Sequence, residues 1–162
     1  MNKVLFSTKI SDAHFSPCRK WRYTLRRIWD IEKPMAMFIG LNPSTADEIK
    51  NDPTVRRCLG FAYDWGYGGL IMTNAFAFRS TDPKGMKAQE DPVGLENDYW
   101  LIKSAQQAEI VVAAWGNHGI FCDRTTRILK LLPNLQCLGI TKFGQPKHPL
   151  YLKRDAMLIP YG

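Results

Sequence analysis

The sequence lacks the patterns that mark membrane, exported and metal-cluster proteins. No apolar run reaches the roughly 18 residues that a membrane-spanning helix needs, and the first residues contain no apolar segment typical of an export signal. The 4 cysteines are far apart, and no two of them form a C-x-x-C pair. This spacing argues against a zinc ribbon, a thioredoxin-type redox site and a ferredoxin-type cluster. We therefore expect a cytoplasmic protein with reduced thiols and no membrane association.

The sequence also lacks the common motifs of metal, nucleotide and nucleophilic catalysis. Its 3 histidines are widely separated, so neither H-x-x-x-H nor H-E-x-x-H occurs. Neither a P-loop nor a G-x-G-x-x-G motif is present, and Ser44 lies outside any G-x-S-x-G turn. Asp47, Asp52 and Asp82 could bind a divalent cation, but their spacing is not diagnostic of a metal site. We therefore predict neither a metal nor a cofactor.

What is present is the composition of a folded globular protein with an excess of positive charge. The 162 residues are 45% hydrophobic and 23% charged, which predicts one domain over residues 1–162. There are 22 Lys and Arg against 15 Asp and Glu, so the net charge is +7. Residues 1–33 contain 8 basic and 3 acidic side chains. A second basic cluster comprises Lys142, Lys147, Lys153 and Arg154.

These basic clusters suit a polyanionic partner, because Lys and Arg beside aromatic side chains bind phosphate backbones. The alternative is a basic surface that is only solvated. We expect the partner to be a nucleic acid, with DNA as the first choice, or a nucleotide.

Four short apolar runs alternate with segments of helical periodicity. The runs, which are bounded by turn-forming residues as buried strands are, cover 35–41, 69–76, 109–115 and 135–141. The segments with apolar residues at helical spacing are 54–65, 93–107 and 120–132. Alternating strands and helices favour a parallel sheet with helices on both faces. We predict a three-layer α/β/α fold around a mostly parallel four-stranded sheet.

The N-terminal region follows a different pattern. Residues 21–26 alternate apolar and polar side chains, which predicts a strand followed by a turn into the first apolar run. A helix is the alternative, since Leu25, Ile28 and Trp29 also share a helical face. We interpret residues 1–33 as a basic N-terminal β extension.

Polar side chains follow the predicted strands, at the edge of the sheet where parallel α/β proteins bind ligands. They include Asn42 and Ser44 after the first run, Asn74 in the second, His118 after the third and His148 after the fourth. We predict a functional cleft at this edge.

Each of these residues also has a structural interpretation. The segment 42–44 could cap a turn, because Asn and Ser satisfy loop amides well. Asn74 could form buried hydrogen bonds or present its amide to a ligand. His118 is more typical of a loop residue, whereas for His148, between Lys147 and Pro149, we favour a functional role.

Short motifs distributed over nearly the whole chain point to a family. They are Ser16–Tyr23, the N-P-S-T-A-D signature within 41–47, Asp52–Thr54, Asn97–Asp98, Ala114–Gly116, Thr141–Lys142 and His148–Leu152. Together they resemble a domain family of unknown function found in bacteria and phages. That resemblance implies no settled activity.

The strand-end motifs show a second, more distant similarity. The four motifs, in chain order, are Gly40-Leu-Asn-Pro-Ser, Thr73-Asn-Ala-Phe with Arg79 and Asp82-Pro83, Val111-Val-Ala-Ala-Trp-Gly, and His148-Pro-Leu-Tyr-Leu. In order and spacing they resemble motifs of the uracil-DNA glycosylase superfamily, chiefly of its mismatch-specific and iron–sulfur branches. This resemblance implies a uracil-DNA glycosylase-like fold.

The glycosylase resemblance also implies roles for individual residues in cleaving the bond between a base and deoxyribose. His148 would donate a hydrogen bond to the leaving base, and Asn42 would position the attacking water. Asn74 would read the edge of a flipped pyrimidine, and Leu150 would fill the vacated stack.

Further candidates complete the expected site. The base would stack on Phe61 or Phe76. Additional substrate-binding candidates, of which the last three belong to the family of unknown function, are Pro43, Ser44, Asp47 and Asp52. The residues expected to face phosphates are Arg19, Lys20, Arg22, Arg26, Lys142, Lys147, Lys153 and Arg154.

Two features of the sequence shape the hypotheses, namely the arrangement of the cysteines and the amide at Asn42. The cysteines do not match the arrangement of the iron–sulfur branch, so no iron–sulfur cluster is expected. Hydrolysis of the N-glycosidic bond of a uracil-like or modified base is the leading hypothesis. The alternative is a non-catalytic nucleic-acid or nucleotide binding module in DNA modification, defence or counter-defence. This alternative is favoured by Asn42, because the side chain at that position is an amide instead of an acid. A scaffold without a ligand is the third.

Overall fold

The structure is a computed structural model that describes residues 8–162. These residues form an α/β fold in which seven strands make one mixed sheet and four α-helices pack on it. The strands are β1 (Ile10–Phe15), β2 (Arg22–Ile28), β3 (Met35–Gly40), β4 (Gly69–Asn74), β5 (Ile110–Ala113), β6 (Leu135–Cys137) and β7 (Ile159–Tyr161). The helices are α1 (Pro53–Asp64), α2 (Pro83–Lys87), α3 (Asn97–Gln106) and α4 (Arg124–Leu131). Part of the predicted extension 1–33, including Lys3, lies outside the described residues.

The strand order is β1-β2-β4-β3-β5-β6-β7. The four predicted strands are its parallel part, since β3 pairs in parallel with β4 and β5, and β5 in parallel with β6. The strand predicted within residues 21–26 is β2, which pairs antiparallel with β4, so the helical alternative was wrong. A four-stranded sheet was too small, because β1 and β7 add antiparallel edges. These edge strands are mostly exposed, which explains why neither forms an apolar run.

Alternate residues of the inner strands supply two separate apolar cores. Phe38 and Met72 belong to the core that α1 covers, whereas Ile39 and Ile71 belong to the core that α3 and α4 cover. This alternation follows from the two-residue period of a strand, which sends successive side chains to opposite faces. The sheet therefore has helices on both faces, and its strand ends open at the edge between these layers.

The helix predictions differ from the structure mainly at boundaries. The helix predicted at 54–65 is α1, which begins where the Asp52 carboxylate accepts a hydrogen bond from Val55 N at 2.9 Å. The prediction at 93–107 began too early, because Gly94 adopts φ +94° in a turn before α3. The prediction at 120–132 combined a 3₁₀ segment, Asn117–Asp123, with α4, and positive φ at Cys122 and Asp123 separates them. The short helix α2 was not predicted.

Two further features concern the expectations about membrane association and about the cysteine thiols. Among the helices of the described chain, none is long and apolar enough to cross a membrane. Cys18, Cys58, Cys122 and Cys137 are free thiols. Burial raises the pKa of the Cys58 thiol, so this side chain is a neutral part of the core.

Candidate functional site

A cavity of about 770 Å³ opens at the carboxyl ends of the parallel strands. Loops that follow four different strands line it, as the position of ligand sites in open α/β sheets predicts. The lining residues are Leu41, Asn42 and Ser44 after β3, Ser80–Pro83 after β4, Trp115–His118 after β5, and Thr141, Lys147, His148 and Leu150–Leu152 after β6, together with Asp52–Thr54 at the start of α1. Of the predicted residues, the cavity thus brings together Asn42, Ser44, Asp52, Lys147, His148 and Leu150.

Asn42 presents a free amide oxygen to this cavity. Its Nδ2 donates hydrogen bonds to Ser80 O at 2.9 Å and to Pro43 O at 3.1 Å. Both amide protons are therefore used, and the orientation of the side chain is set by two backbone carbonyls. Within residues 8–162, Oδ1 accepts no hydrogen bond, so it is the atom available to a water molecule or a ligand.

His148 has a defined tautomer. It caps the 3₁₀ turn Pro149–Tyr151, and its Nδ1 accepts a hydrogen bond from the backbone N–H of Leu150 at 3.3 Å. Because a backbone N–H can only donate, Nδ1 carries a lone pair and the proton of the neutral ring is on Nε2. Burial lowers the pKa of His148, and the Asp52 carboxylate acts in the opposite direction. His148 is therefore a neutral donor at Nε2 near pH 7.

Asp52 is a buried carboxylate at the amino end of α1. Besides Val55 N, it accepts a hydrogen bond from Ala46 N at 3.3 Å. Those two backbone donors and the helix N-terminus stabilise a negative charge there. Arg22 lies within electrostatic range of this carboxylate but does not line the cavity. The site thus contains a carboxylate, an imidazole and an amide oxygen.

Two buried arginines of β2 hold the loop that carries Asp52. Arg22 donates to Ala46 O at 3.1 Å, and Arg27 donates to Asp47 O and to Lys50 O at 2.6 and 2.9 Å. Burial lowers the pKa of Arg22 to about 10, which leaves the guanidinium charged at neutral pH. Both side chains are only 2% exposed, so the expectation that Arg22 contacts phosphates was wrong.

The floor of the cavity is built around Trp115. Its indole Nε1 donates to Thr125 Oγ1 at 3.1 Å and to Gln145 Oε1 at 3.2 Å. Gly116 N donates to Pro146 O at 2.8 Å, which joins the end of β5 to the segment that carries His148. Asn117 Oδ1 accepts a hydrogen bond from Thr141 Oγ1 at 2.6 Å, so its Nδ2 is left to donate to a ligand.

A basic groove of about 440 Å³ adjoins the cavity, and both are lined by Ser44, Ser80 and Thr81. Its other lining residues are Arg19, Lys20, Thr45, Phe78 and Arg79. Among the described residues, no carboxylate lines this groove, whereas Asp52 and Asp82 line the cavity. The two spaces therefore differ in electrostatic character.

The comparison with protein families matches this chain over residues 22–150, to the model described as a protein of unknown function (DUF1643). The chain belongs to the DUF1643 family. The matched range includes Asn42, Asp52, Arg79 and His148, and it ends at Leu150 on the cavity rim. No curated protein and no solved structure matches the chain.

Several predicted residues of this DUF1643 chain lie away from the cavity. Phe61 and Phe76 are 2% and 0% exposed in the two apolar cores, so the expectation that either stacks on a ligand was wrong. Asn74 is 2% exposed, and its Nδ2 has no partner among the described residues, but it does not line the cavity. Pro43 and Asp47 shape the neighbouring loop, where the Asp47 carboxylate accepts hydrogen bonds from Ile49 N and Lys50 N.

The basic residues expected to face phosphates are dispersed. Arg19 pairs with Glu48, Arg26 with Asp12, and Arg154 with Asp64. Those that are exposed and have no salt bridge in the described chain are Lys20, Lys142, Lys147 and Lys153, whereas Arg22 has none either but is buried.

The predictions missed several residues that the DUF1643 structure places at the site. Ser80 orients Asn42, and Asn117 and Thr141 supply a polar pair at the rim. All three follow a parallel strand, so the strand-end argument that found Asn42 would have found them as well. Arg79 also follows such a strand, but it belongs to neither of the two basic clusters of the sequence. Residues 8–162 contain no group of three or more His, Cys, Asp or Glu that could hold a metal ion.

Proposed function

We propose that this protein hydrolyses the N-glycosidic bond of a nucleotide unit, either free or within a nucleic acid. The observation that carries the proposal is the combination of His148, Asp52 and Asn42 in one cavity, with a proton on His148 Nε2 and a free oxygen on Asn42. The cavity volume of about 770 Å³ lies in the range of small-molecule sites, which suits a nucleotide.

Each of these three groups matches a charge that develops in the reaction. As the bond between the sugar carbon and the base nitrogen breaks, the base takes the electron pair and the sugar becomes positive. The His148 Nε2–H stabilises the departing anion, and the Asp52 carboxylate stabilises the sugar cation. Asn42 Oδ1 accepts a hydrogen bond from the water whose oxygen bonds to the sugar carbon, and the Asp52 carboxylate takes the proton of that water.

The resemblance of the strand-end motifs to uracil-DNA glycosylases supports the same assignment for Asn42 and His148. We infer further that the parallel strands β4-β3-β5-β6 correspond to the central sheet of that fold. Base recognition would differ from that implied by the resemblance, since Asn74 is buried below the cavity edge. Asn117 Nδ2 is the amide donor that the cavity offers instead.

The second candidate is a binding module without turnover. It is favoured by the burial of Phe61 and Phe76, because neither of the phenylalanines that the glycosylase resemblance assigned to base stacking reaches the cavity. In that case the same residues would bind a nucleotide or an oligonucleotide and release no base.

A base-release assay read by mass spectrometry tests these candidates. Purified protein is incubated with deoxyuridine monophosphate and with single- and double-stranded oligonucleotides that contain uracil or modified bases. We expect release of a free base, a loss of about 10² to 10³-fold in His148→Ala, and at least about tenfold loss in Asp52→Asn.

The matched control is His14→Gln, because His14 lies on β1 and does not line the cavity. It should keep wild-type activity, and circular dichroism should show that all variants are folded. Binding of the same substrates with no base released would overturn the hydrolase and leave the binding module.

A further inference from the structure

The basic groove beside the cavity contains Arg79, a cation that lies within electrostatic range of the Asp47 carboxylate but is not paired with it directly. Arg79 Nε donates to Ser44 O at 3.5 Å, and its Nη1 donates to Arg19 O at 3.2 Å. The guanidinium also lies 4.9 Å from the centroid of the Phe15 ring. These contacts hold the planar group in one orientation, and within residues 8–162 it forms no salt bridge. Its Nη2 makes no hydrogen bond there and is free to donate.

Two further cations, Arg19 and Lys20, line the groove beside Arg79, and they differ in whether a carboxylate pairs with them. The Arg19 guanidinium is 3.8 Å from the Phe15 centroid, but Glu48 pairs with it through two hydrogen bonds of 2.7 and 2.8 Å. The Arg19 guanidinium holds the pKa of Glu48 down at about 2, so this pair stays ionised. Lys20 is exposed, has no salt bridge in the described chain, and is fixed beside Arg79 because Arg79 N donates to Lys20 O at 2.9 Å. Within the described chain, the groove therefore offers two cations without a salt bridge, Arg79 and Lys20.

Hydroxyl groups surround these charges. Ser44, Thr45 and Thr81 line the groove, and none of their hydroxyls is hydrogen bonded to another part of the described chain. The groove thus places hydroxyl donors beside a guanidinium and an ammonium. Because its described lining contains no carboxylate, the groove suits an anion with several oxygens. The guanidinium fork matches phosphate oxygens in particular.

We propose that the groove lined by Arg79, Lys20, Ser44, Thr45 and Thr81 is a phosphate-binding subsite. This inference rests on the proposed function in one respect, namely that the phosphoryl group belongs to the same nucleotide unit whose base and sugar occupy the cavity. The shared wall of Ser44, Ser80 and Thr81 places the two spaces next to each other, as a nucleoside and its own phosphate require. The phosphoryl group is the 5′-phosphate of a free nucleotide or a phosphodiester of a strand.

The test compares ligands that differ only in phosphate. Isothermal titration calorimetry measures binding of deoxyuridine, deoxyuridine 5′-monophosphate and a short uracil-containing oligonucleotide to the full chain. We expect the monophosphate to bind at least about tenfold more tightly than the nucleoside, as one charge-assisted contact would provide. This ratio should fall towards one in Arg79→Gln and decrease in Lys20→Gln. The matched control Lys130→Gln, which removes an exposed charge on α4 outside the groove, should keep the ratio.

Inorganic phosphate separates this inference from the proposed function. Titration monitored by the Arg79 side-chain NMR signal should shift that signal in the wild type and not in the Lys20→Glu variant, which reverses a charge without touching the backbone contacts of Arg79. A phosphate shift without nucleoside binding supports the subsite and refutes the nucleotide hydrolase. Nucleoside binding with an unchanged ratio in folded Arg79→Gln overturns the subsite and leaves the hydrolase standing.

The source of the phosphate is read from the same titrations. Tightest binding of the monophosphate identifies a free nucleotide, and tightest binding of the oligonucleotide identifies a strand; either supports the subsite if Arg79→Gln removes the preference. If Arg79→Gln does not fold, Lys20→Glu decides, and an unchanged phosphate preference in that variant refutes the subsite.

Discussion

At the scale of single residues, the protonation of His148 links the structure to pH. Its Nδ1 faces the Leu150 N–H, so a second proton on the ring would set two donors against each other. Burial already disfavours the charged ring and lowers its pKa below the usual value, although Asp52 opposes this shift. The neutral ring with its proton on Nε2 is thus the form that the folded chain prefers.

We expect the stability of the fold to rise with pH in a window below the usual histidine pKa of about 6.5. In that window the unfolded state binds a proton at His148 that the folded state does not, so the free energy of unfolding increases as pH increases. The gain is complete above the unfolded pKa and is lost as pH falls through the lowered folded value. Urea unfolding of the wild type and His148→Gln at several pH values measures this slope.

His118 is the necessary control, because burial and Lys87 also lower its pKa. Its contribution has the same sign, so His118→Gln should remove part of the slope independently of His148. If His148→Gln keeps the full wild-type slope while His118→Gln removes it, His148 is not the group that titrates. Base release should fall over the same acidic range, since protonation of Nδ1 breaks the contact with Leu150 N–H that orients the ring.

At the scale of elements, β2 holds the loop between β3 and α1 in place through hydrogen bonds from Arg22 and Arg27, which we call the arginine brace. Arg27 donates to Asn51 Oδ1 at 3.0 Å as well as to the carbonyls of Asp47 and Lys50. Because that loop ends at Asp52, the brace holds the carboxylate at the cavity. The sequence of β2 predicts a basic surface, but its buried arginines position the candidate site instead.

Arg27→Met should destabilise the fold by about 2–4 kcal/mol, because it removes a buried guanidinium that donates hydrogen bonds to Asn51 and to the carbonyls of Asp47 and Lys50. The same substitution at Arg26 is the matched control on the same strand. Arg26 is half-buried and pairs only with Asp12, so its loss should cost less than about 1 kcal/mol. Thermal and urea unfolding of both variants measures the difference, and equal losses would show that the brace has no special role.

The elements also show what could be predicted from the sequence. The four parallel strands and α1 were predictable, because buried parallel strands are continuous apolar runs and α1 has a clear start at Asp52-Pro53. The edge strand β1 was not, since its alternation is weak and its pairing with β2 is a tertiary contact. The kink before α4 was missed because nothing in Cys122-Asp123 favours a positive φ over a continuous helix.

The candidate site was predictable to a similar extent. Asn42, Asp52 and His148 follow from strand ends and motif residues, whereas the interior position of Arg22 does not follow from its charge. Phe61 was assigned by resemblance, but it is part of the apolar face of α1 in the core. Charge and aromatic type therefore indicate what a side chain could bind, and only packing decides whether a ligand can reach it.

At the scale of the whole molecule, the excess positive charge of +7 is spread over the surface and is not concentrated at the cavity, whose lining in the described chain includes one lysine and no arginine. Ion pairs occupy Arg19, Arg26, Arg124 and Arg154, among others. Lys147 lines the cavity and is exposed without a salt bridge in the described part of the chain. A strand bound at the cavity would therefore meet few positive charges, and its affinity should depend only moderately on salt.

Oligonucleotide binding should show this in the slope of log affinity against log salt concentration. Lys147→Gln should reduce the magnitude of that slope by about 0.7 for a single strand or 0.9 for a duplex, corresponding to one lost phosphate contact. Lys130→Gln should leave it unchanged, although it removes the same charge from the molecule. Fluorescence anisotropy over a range of salt concentrations gives both slopes, and equal reductions would mean that net charge, rather than position, controls binding.

The order of the parallel strands also has a consequence for how the protein is made. Asn42 follows β3, whereas His148 follows β6, and β5 lies between these strands in the sheet. During synthesis on the ribosome, β3 and β4 can pair long before His148 has been translated, but the cavity cannot close. Because such long-range contacts slow folding, a nascent chain would expose the open ends of its strands until the last quarter of the sequence arrives.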